Sequence, residues 1–132
     1  MIDIEKSVYT RVFDAVSSAF SNISIHDENL LLPSEFPCLT IEEADNYAYD
    51  RTQDSGSLEN HAVLMYEVNI YSNKATRKKD ECKAIQKVVD REFENMGFTR
   101  ISKIPMTTNN ATVFRMVSRY TAVANNNEIY RR

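Results

Sequence analysis

The sequence predicts a single α+β domain, in which a mixed, mainly antiparallel sheet of about four to five strands has two helices packed on one face. Three observations support this fold class. The chain of 132 residues is about the size of one domain. Its residues are 42% hydrophobic, which is enough to fill one core. Its periodic segments follow in the order helix, strand, strand, loop, strand, long helix, strand, strand, without an internal repeat.

The first helix and the two strands after it follow from apolar spacing and from prolines. From Asp3 to Phe20 apolar residues recur at every fourth position, which is helical periodicity, and Asp3 is a suitable N-cap. A short alternating segment at 23–26 precedes a loop whose prolines exclude a continuing helix. Residues 38–44 place apolar and polar side chains on opposite faces and are predicted to form a strand.

The middle of the chain contains the most regular elements. The polar stretch Asp45–Asn60 is rich in turn-forming residues and is predicted to be a mobile loop. Residues Ala62–Tyr71 alternate with period 2, which predicts a central strand. A helix is predicted over about Ala75–Met96. Gly97 should end that helix, and Phe98 should fold back onto its last turn.

Two further strands and a tail complete the prediction. The strands span about Thr99–Met106 and Ala111–Ala124. They are joined by a turn at 107–110, where asparagine tolerates positive φ. Residues 125–132 show no period and are expected to form a C-terminal tail. We therefore predict one domain over residues 1–132.

Composition argues against several classes of function. The net charge of -3 gives no bulk attraction to nucleic acid or to an anionic membrane. No apolar run approaches the roughly 20 residues that span a bilayer, so we expect a soluble protein of the cytoplasm. The two glycines, Gly56 and Gly97, are too few for a phosphate-binding loop, and no cofactor is expected. Cys38 and Cys82 lack a neighbouring Cys or His at metal-ligand spacing and are expected to be buried free thiols.

The candidate catalytic groups fail on geometry. Glu42 and Glu43 point to opposite faces of a strand and cannot chelate one metal ion, so their acidic run is interpreted as a solvated strand end. The acid-x-lysine string at 80–83, which nucleases carry on a strand, lies in a helical segment. His26 and His61 lack a recognisable nucleophile turn nearby and are interpreted as structural. We therefore predict no catalytic residue, no metal site and no enzyme; the remaining enzymatic alternative is a composite site between subunits.

One face of the predicted sheet should remain uncovered, because two helices, each about 10 Å across, cover only one face of a sheet of this width. A solvated antiparallel face should be more uniformly polar than this one, which mixes apolar, acidic and basic residues as interfaces do. We therefore predict a subunit interface there. The alternative is a wet face with β-branched residues that strand propensity favours. The predicted interface residues are Val63, Met65, Glu67, Tyr71, Val113, Arg115, Val117 and Arg119.

A basic group opens the long helix, although positive charge at a helix N-terminus is disfavoured by about 0.3–1 kcal/mol for each residue. The favoured interpretation is a solvated helix face. The alternative is docking onto an acidic neighbouring protein through Arg77, Lys78 and Lys79, with DNA phosphate a third choice because aromatic residues are not interleaved. The whole group is Lys74, Arg77, Lys78, Lys79, Lys83 and Lys87.

Three features together resemble a known family. They are the helix at the start, the polar loop 55–61 before the strand Ala62–Tyr71, and the junction Tyr71-Ser72-Asn73-Lys74 that leads into the long helix. In these features the chain resembles the tail-terminator (tail-completion) proteins of long-tailed bacteriophages and of phage-tail-like particles. The resemblance extends over nearly the whole chain through the order of its elements.

This resemblance implies a structural protein of virion assembly. A hexameric ring would bind the last ring of the tail tube, stop tube growth and offer its opposite surface to the head connector or, in contractile tails, to the sheath. The implied partners are other copies of the chain, the tail-tube protein, and a connector, neck or sheath protein, with DNA only in transit through a lumen and no membrane. The implied location is the virion tail or neck, after assembly in the host bacterial cytoplasm.

In that arrangement the polar loop and the turn at 107–110 are expected to meet the tube or the neck. Two alternatives stay open. One is a head–tail connector or neck ring subunit, which differs in what it touches. The other is a small monomeric binding or regulatory module with the polar loop as its ligand site. The expected tube or neck contacts are Asp50, Arg51, Asp54, Ser55, Thr107, Thr108, Asn109 and Asn110.

Overall fold

A computed structural model describes residues 3–28, 33–48, 62–106, 108, 110–124 and 129–130. In this part of the chain two helices and six strands form, and the predicted α+β class with a mixed sheet is confirmed. The elements are α1 (Glu5–Ala19), β1 (Ser24–His26), β2 (Cys38–Ala48), β3 (Ala62–Ser72), α2 (Lys78–Asn95), β4 (Thr99–Met106), β5 (Phe114–Ala124) and β6 (Ile129–Tyr130).

The strands form one sheet in the order β1-β2-β3-β5-β4, and β6 pairs with the end of β5. β1 runs parallel to β2, whereas the other pairs are antiparallel. β3 and β5 pair along their whole length, from Ala62 opposite Ala124 to Ser72 opposite Phe114. The pairing of β2 with β3 skips one residue between Glu43 and Asp45, and that of β4 with β5 skips Ile101.

The core lies between the two helices and one face of the sheet. Each helix contributes a buried stripe at three- and four-residue spacing. In β3 the alternate residues from Ala62 to Ile70 face this core, as the period-2 pattern predicts. Phe93 of α2 stacks on Tyr120 of β5, with ring centroids 4.2 Å apart and planes inclined by 4°. The aromatic stack therefore holds α2 against the sheet through burial and ring geometry together.

The end of α2 confirms the predicted glycine stop. Gly97 has a φ of 96°, which is the left-handed region, and the Phe98 amide donates to the Phe93 carbonyl at 2.9 Å. This closure turns Phe98 back onto the helix, where its ring meets Phe93 edge-on at 5.1 Å. Local chemistry alone explains this feature, because a left-handed residue followed by an apolar contact closes many helices.

Both helices begin later than predicted. α1 starts at Glu5, and Asp3 is not its N-cap residue, although the Asp3 carboxylate accepts a hydrogen bond from the Glu5 amide at 3.1 Å. α2 starts at Lys78 rather than at Ala75. The reason is Arg77, whose φ of 60° interrupts right-handed helical geometry. Neither helix of the described residues is long and apolar enough to cross a membrane.

Several predicted strand and loop boundaries are wrong. β2 includes residues 45–48, predicted as loop, because its pairing with β3 continues to Ala48 opposite Ala62. β5 starts three residues late because a turn occupies 110–113, where the Val113 amide donates to the Asn110 carbonyl at 3.0 Å. Within the predicted tail, residues 129–130 pair with β5. The rest of the expected mobile loop, with His61, lies outside the described residues.

Candidate subunit-interface surface

The sheet face turned away from the helices is the candidate functional surface, and we call it the second face. Strand alternation and register place its side chains in rows that cross β2, β3, β5 and β4 in that order. The three central rows are Cys38, Tyr71, Arg115, Met106; Thr40, Asn69, Val117, Ile104; and Glu42, Glu67, Arg119, Ser102.

A polar network joins β3 to β5 on the second face. Arg119 donates to Glu67 Oε1 from Nε at 3.1 Å and from Nη2 at 2.9 Å. The other oxygen of Glu67 accepts from Asn69 Nδ2 at 3.3 Å, and Asn69 Oδ1 accepts from Arg115 Nε at 2.9 Å. The Arg115 guanidinium also lies 5.6 Å from the centroid of the Tyr71 ring. These five side chains therefore form one continuous set of contacts.

Most of this network is already shielded from water. Asn69 is fully buried, and Tyr71 is 4% exposed. The Glu67 side chain is 14% exposed, whereas that of Arg119 is 51% exposed. Burial raises the pKa of Tyr71, and the Arg115 charge opposes that rise. The centre of the second face is thus ordered by its own contacts, and Arg119 is its exposed charged group.

The structure places seven of the eight predicted interface residues on the second face. Val113 is the exception, because it lies in the turn before β5. Val63 and Met65 are partly buried, and Val117 is buried. Their contact with a second chain stays a prediction. What the geometry adds is that Glu67 and Arg119, both among the predicted interface residues, pair with each other within one chain.

The outer strands carry exposed apolar residues that the sequence reasoning missed. Tyr47 of β2 is 53% exposed, Ile101 and Ile104 of β4 are each 50% exposed, and Met106 is 43% exposed. The sequence of β4 contains a signal for this exposure. Its apolar residues do not all lie on one face, as they would in a strand with a single buried side. Alternation within a strand does not reveal whether that strand lies at the edge of a sheet, so these residues required the strand order.

The predicted tube or neck contacts divide into two groups. Thr108 and Asn110 lie in the turn between β4 and β5, where Thr108 Oγ1 donates to the Asn110 carbonyl at 2.6 Å. The Thr112 amide donates to Asn110 Oδ1 at 3.0 Å, so the turn is held by its own hydrogen bonds. The other predicted contacts lie outside the described residues; they are Asp50, Arg51, Asp54, Ser55, Thr107 and Asn109.

The predicted cationic docking residues lie where α2 begins. Arg77 and Lys79 are exposed and Lys78 is partly exposed. Within the described ranges their side chains make no ion pair or hydrogen bond. Glu81, one turn further on, accepts a hydrogen bond from Ser72 Oγ at 2.6 Å. The three cations are thus accessible to an acidic surface, and docking there stays a prediction.

His26 and Glu43, which were considered above for catalysis and for metal binding, have side-chain partners that the sequence did not predict. Ser24 Oγ and His26 Nε2 lie 2.8 Å apart on β1, since residues two apart share one face of a strand. Glu43 is not simply a solvated strand end: it is partly buried and accepts a hydrogen bond from the Tyr66 hydroxyl at 3.5 Å. Burial, and next the charge of Glu5, raises the pKa of Glu43. Among the residues that the structure describes, no group of three or more His, Cys, Asp or Glu side chains could hold a metal ion.

The two cysteines are buried free thiols, as predicted. Burial raises the pKa of Cys38 to about 11 and that of Cys82 to about 12. The Cys82 thiol lies 3.7 Å from the Ile70 carbonyl, which can accept its weak hydrogen bond. Both thiols are therefore protonated at neutral pH and act as small apolar side chains.

The fold is similar to that of a chain in a solved virion structure. A chain from a structure of the "virion of native gene transfer agent (GTA) particle" superposes with a TM-score of 0.63 and 12% sequence identity. The match covers 92% of this chain and 94% of that chain. At this identity the likeness concerns the fold. No family model matches this sequence, and no curated protein matches it.

Proposed function

We propose that this chain is a structural subunit of a phage or phage-like particle, which forms a hexameric ring on the head-proximal end of the tail tube. The ring ends tube growth and provides the docking surface for a neck, connector or sheath protein. The observation that carries the proposal is the likeness to a gene transfer agent virion chain over nearly the full length of both chains. One fold can serve many functions, so the surface must also suit assembly.

The second face suits contact with other chains. Its polar groups are ordered by the Glu67–Arg119 pair and by the Asn69–Arg115 hydrogen bond, so little side-chain freedom remains to be lost on binding. Its partly buried Val63 and Met65 offer apolar surface beside that ordered network. A surface with apolar and polar groups together is compatible with a protein interface.

The partners proposed on the two sides of the ring are the tail-tube protein and the neck, connector or sheath protein. Thr108 and Asn110 lie between β4 and β5 at one end of the sheet and take part in local hydrogen bonds, a position that suits a contact with one of these partners. The activity proposed is capping, with no catalytic residue and no cofactor assigned. DNA would pass only through the lumen, and the protein would reside in the virion tail or neck.

Electron microscopy of the purified protein, alone and mixed with purified tail tubes, tests the proposal. We expect rings in the protein alone and a single ring at one end of each tube. Tubes capped in this way should stop lengthening when more tube protein is added. Rings that bind purified connectors and ignore tubes would instead identify a neck ring subunit, and a monomer at high concentration would favour the small binding module.

The same material tests the second face. Arg115→Glu with Arg119→Glu should shift the mass measured by light scattering from ring towards monomer. Lys83→Glu with Lys87→Glu, on the exposed side of α2, makes the same change in charge and should leave the ring intact. Circular dichroism must show that both variants are folded, because Arg119 also pairs with Glu67 inside the chain. An unchanged mass would remove the second face from the ring contact.

A further inference from the structure

Two edges of the sheet are free in the described part of the chain. β4 pairs with β5 on one side only, so its other edge is open along Thr99–Met106. β1 covers the outer edge of β2 at residues 38–40, which leaves residues 41–48 without a neighbouring strand among those described. Each open segment contains eight residues and spans about 27 Å at about 3.4 Å per residue. We call 99–106 the basic edge and 41–48 the acidic edge.

The two edges have opposite charge. The basic edge contains Arg100, which also pairs with Asp90 of α2, and Lys103, and it contains no acidic residue. The acidic edge contains Glu42, Glu43 and Asp45 and no basic residue. Their formal charges are therefore +2 and −3. Like charges placed side by side would repel, so each edge disfavours a second copy of itself and favours the other edge.

Among the described residues, the large exposed apolar side chains are concentrated on the same two edges. In the described residues five large hydrophobic side chains are exposed, and four of them belong to these edges, with Phe13 on α1 as the other. An open strand with exposed apolar residues favours pairing with another strand, although Pro105 leaves the basic edge one position without a backbone donor. The four residues are Tyr47 of the acidic edge and Ile101, Ile104 and Met106 of the basic edge.

Strand direction is compatible with a head-to-tail contact. Since β2, β3, β5 and β4 are antiparallel in succession, β4 runs opposite to β2 within one subunit. A copy rotated about an axis roughly along the strands keeps these directions, so its β4 would lie antiparallel to β2 of the first copy. The side-chain directions are also compatible, because Lys103 of the basic edge and Glu43 of the acidic edge both lie on the helix side of the sheet. Repeating this contact from copy to copy gives a closed ring when the rotations between neighbours add up to one full turn. In a closed ring both edges of every copy are paired.

We infer that the basic edge of one subunit pairs, as an antiparallel strand, with the acidic edge of the next subunit, so that the sheet continues around the ring. The occupant of each edge is a second copy of this chain, because one chain carries both complementary segments at its opposite sides. This inference rests on the proposed ring and adds the surface that joins its subunits. It assigns the contact between neighbours to backbone hydrogen bonds, the four exposed apolar residues and the charge difference.

Charge reversal with rescue in a mixture tests the contact. One variant, Thr99→Glu with Lys103→Glu, changes the basic edge from +2 to −1, and a second, Glu42→Lys with Asp45→Lys, changes the acidic edge from −3 to +1. Each variant alone should be monomeric by light scattering, because both of its edges then have the same sign. An equimolar mixture should recover the ring, since every contact in an alternating ring joins edges of opposite sign.

The controls separate the inference from the proposed function. Lys83→Glu with Lys87→Glu should keep the ring, and circular dichroism should show that each edge variant is folded. Edge variants that still form rings alone, or a mixture that stays monomeric, overturn the edge contact while the capping of tubes by the native ring still stands. If edge reversal abolishes the ring, while the native ring forms but never binds tubes, the edge contact is supported and capping is refuted. A native protein that stays monomeric at high concentration overturns both.

Discussion

Replacing Tyr120 by Phe removes one hydroxyl from the hydrogen-bond chain that sets α2 on the sheet. Gln86 Nε2 donates to the Tyr120 hydroxyl at 2.6 Å, and that hydroxyl donates to Asp90 Oδ1 at 3.1 Å. At one end Gln86 Oε1 accepts from Ser118 Oγ at 3.1 Å. At the other end Arg100 donates to the same oxygen of Asp90 at 3.1 Å. The chain of contacts thus runs from β5 through α2 to β4.

The expected cost follows from the burial of each partner. Gln86 is 3% exposed, so its amide would lose a partner where water cannot replace it, which costs about 1–3 kcal/mol. Asp90 is 32% exposed and keeps Arg100, so water can replace the lost donor at a cost of about 0.5 kcal/mol. The Phe ring preserves the stack on Phe93. We therefore expect Tyr120→Phe to lower the free energy of unfolding by about 2 kcal/mol.

Urea unfolding measures this loss as a lower midpoint at an unchanged m value. Tyr9→Phe is the matched control, because the Tyr9 hydroxyl donates to the Ile25 carbonyl at 3.3 Å in a partly exposed position. We expect the control to cost less than about 1 kcal/mol. Adding Gln86→Leu to Tyr120→Phe should cost less than the sum of the two single changes, since the orphaned amide is then absent. Equal losses in the two Tyr variants, or additive costs in the pair, would refute the reasoning.

Two further predictions concern the thiols and the helix ends. The thiols have a pKa of 9.0 when unfolded, and burial raises it to about 11 for Cys38 and to about 12 for Cys82. Their contribution to stability should therefore be constant well below pH 9 and fall above it by about 1.4 kcal/mol per pH unit for each thiol. Urea midpoints at pH 7 to 10 check this, and changing both cysteines to Ala should flatten the curve. Gly97→Ala should lower the unfolding free energy by about 1 kcal/mol, because φ is 96° there. Arg77→Gly, at a φ of 60°, should raise it by about 0.5 kcal/mol, and a change of the same sign in both variants would contradict the backbone explanation.

The features that the sequence predicted are those with a local physical cause. The alternation of Ala62–Tyr71 identifies the buried side of β3 because one face of that strand must meet the core. Gly97 followed by Phe98 identifies the end of α2, because few other residues adopt its backbone angle without strain. Arg77 is the counterexample: a positive φ in a residue with a side chain carries no sequence signal, so the sequence predicts a start of α2 that is too early.

The free edges could not be predicted because they depend on the order of strands in the sheet. β4 and β5 are adjacent in sequence and in space, yet β3 pairs with β5 across the intervening helix, and this places β4 at the border. Ile104 thereby becomes exposed, and its neighbours Lys103 and Pro105 are residue types that edge strands carry. They indicate an edge strand but not its neighbour in the sheet, which long-range pairing decides. The edge residues are for this reason the part of the candidate surface that the structure alone provides.

The second face and the edges differ in what a neighbouring subunit could gain from them. At the centre of the second face Tyr71 and Val117 are already buried, and the Glu67–Arg119 pair, whose arginine is half exposed, contributes about 0–1 kcal/mol, so a chain placed on that centre removes little further apolar surface from water. At the edges, by contrast, side chains about half exposed and two open rows of backbone groups would be covered together. The edge-reversed variants should therefore stay monomeric at protein concentrations at which the variant with Arg115→Glu and Arg119→Glu still forms rings. The opposite order, measured by light scattering over a dilution series, would show that the second face holds the subunits together.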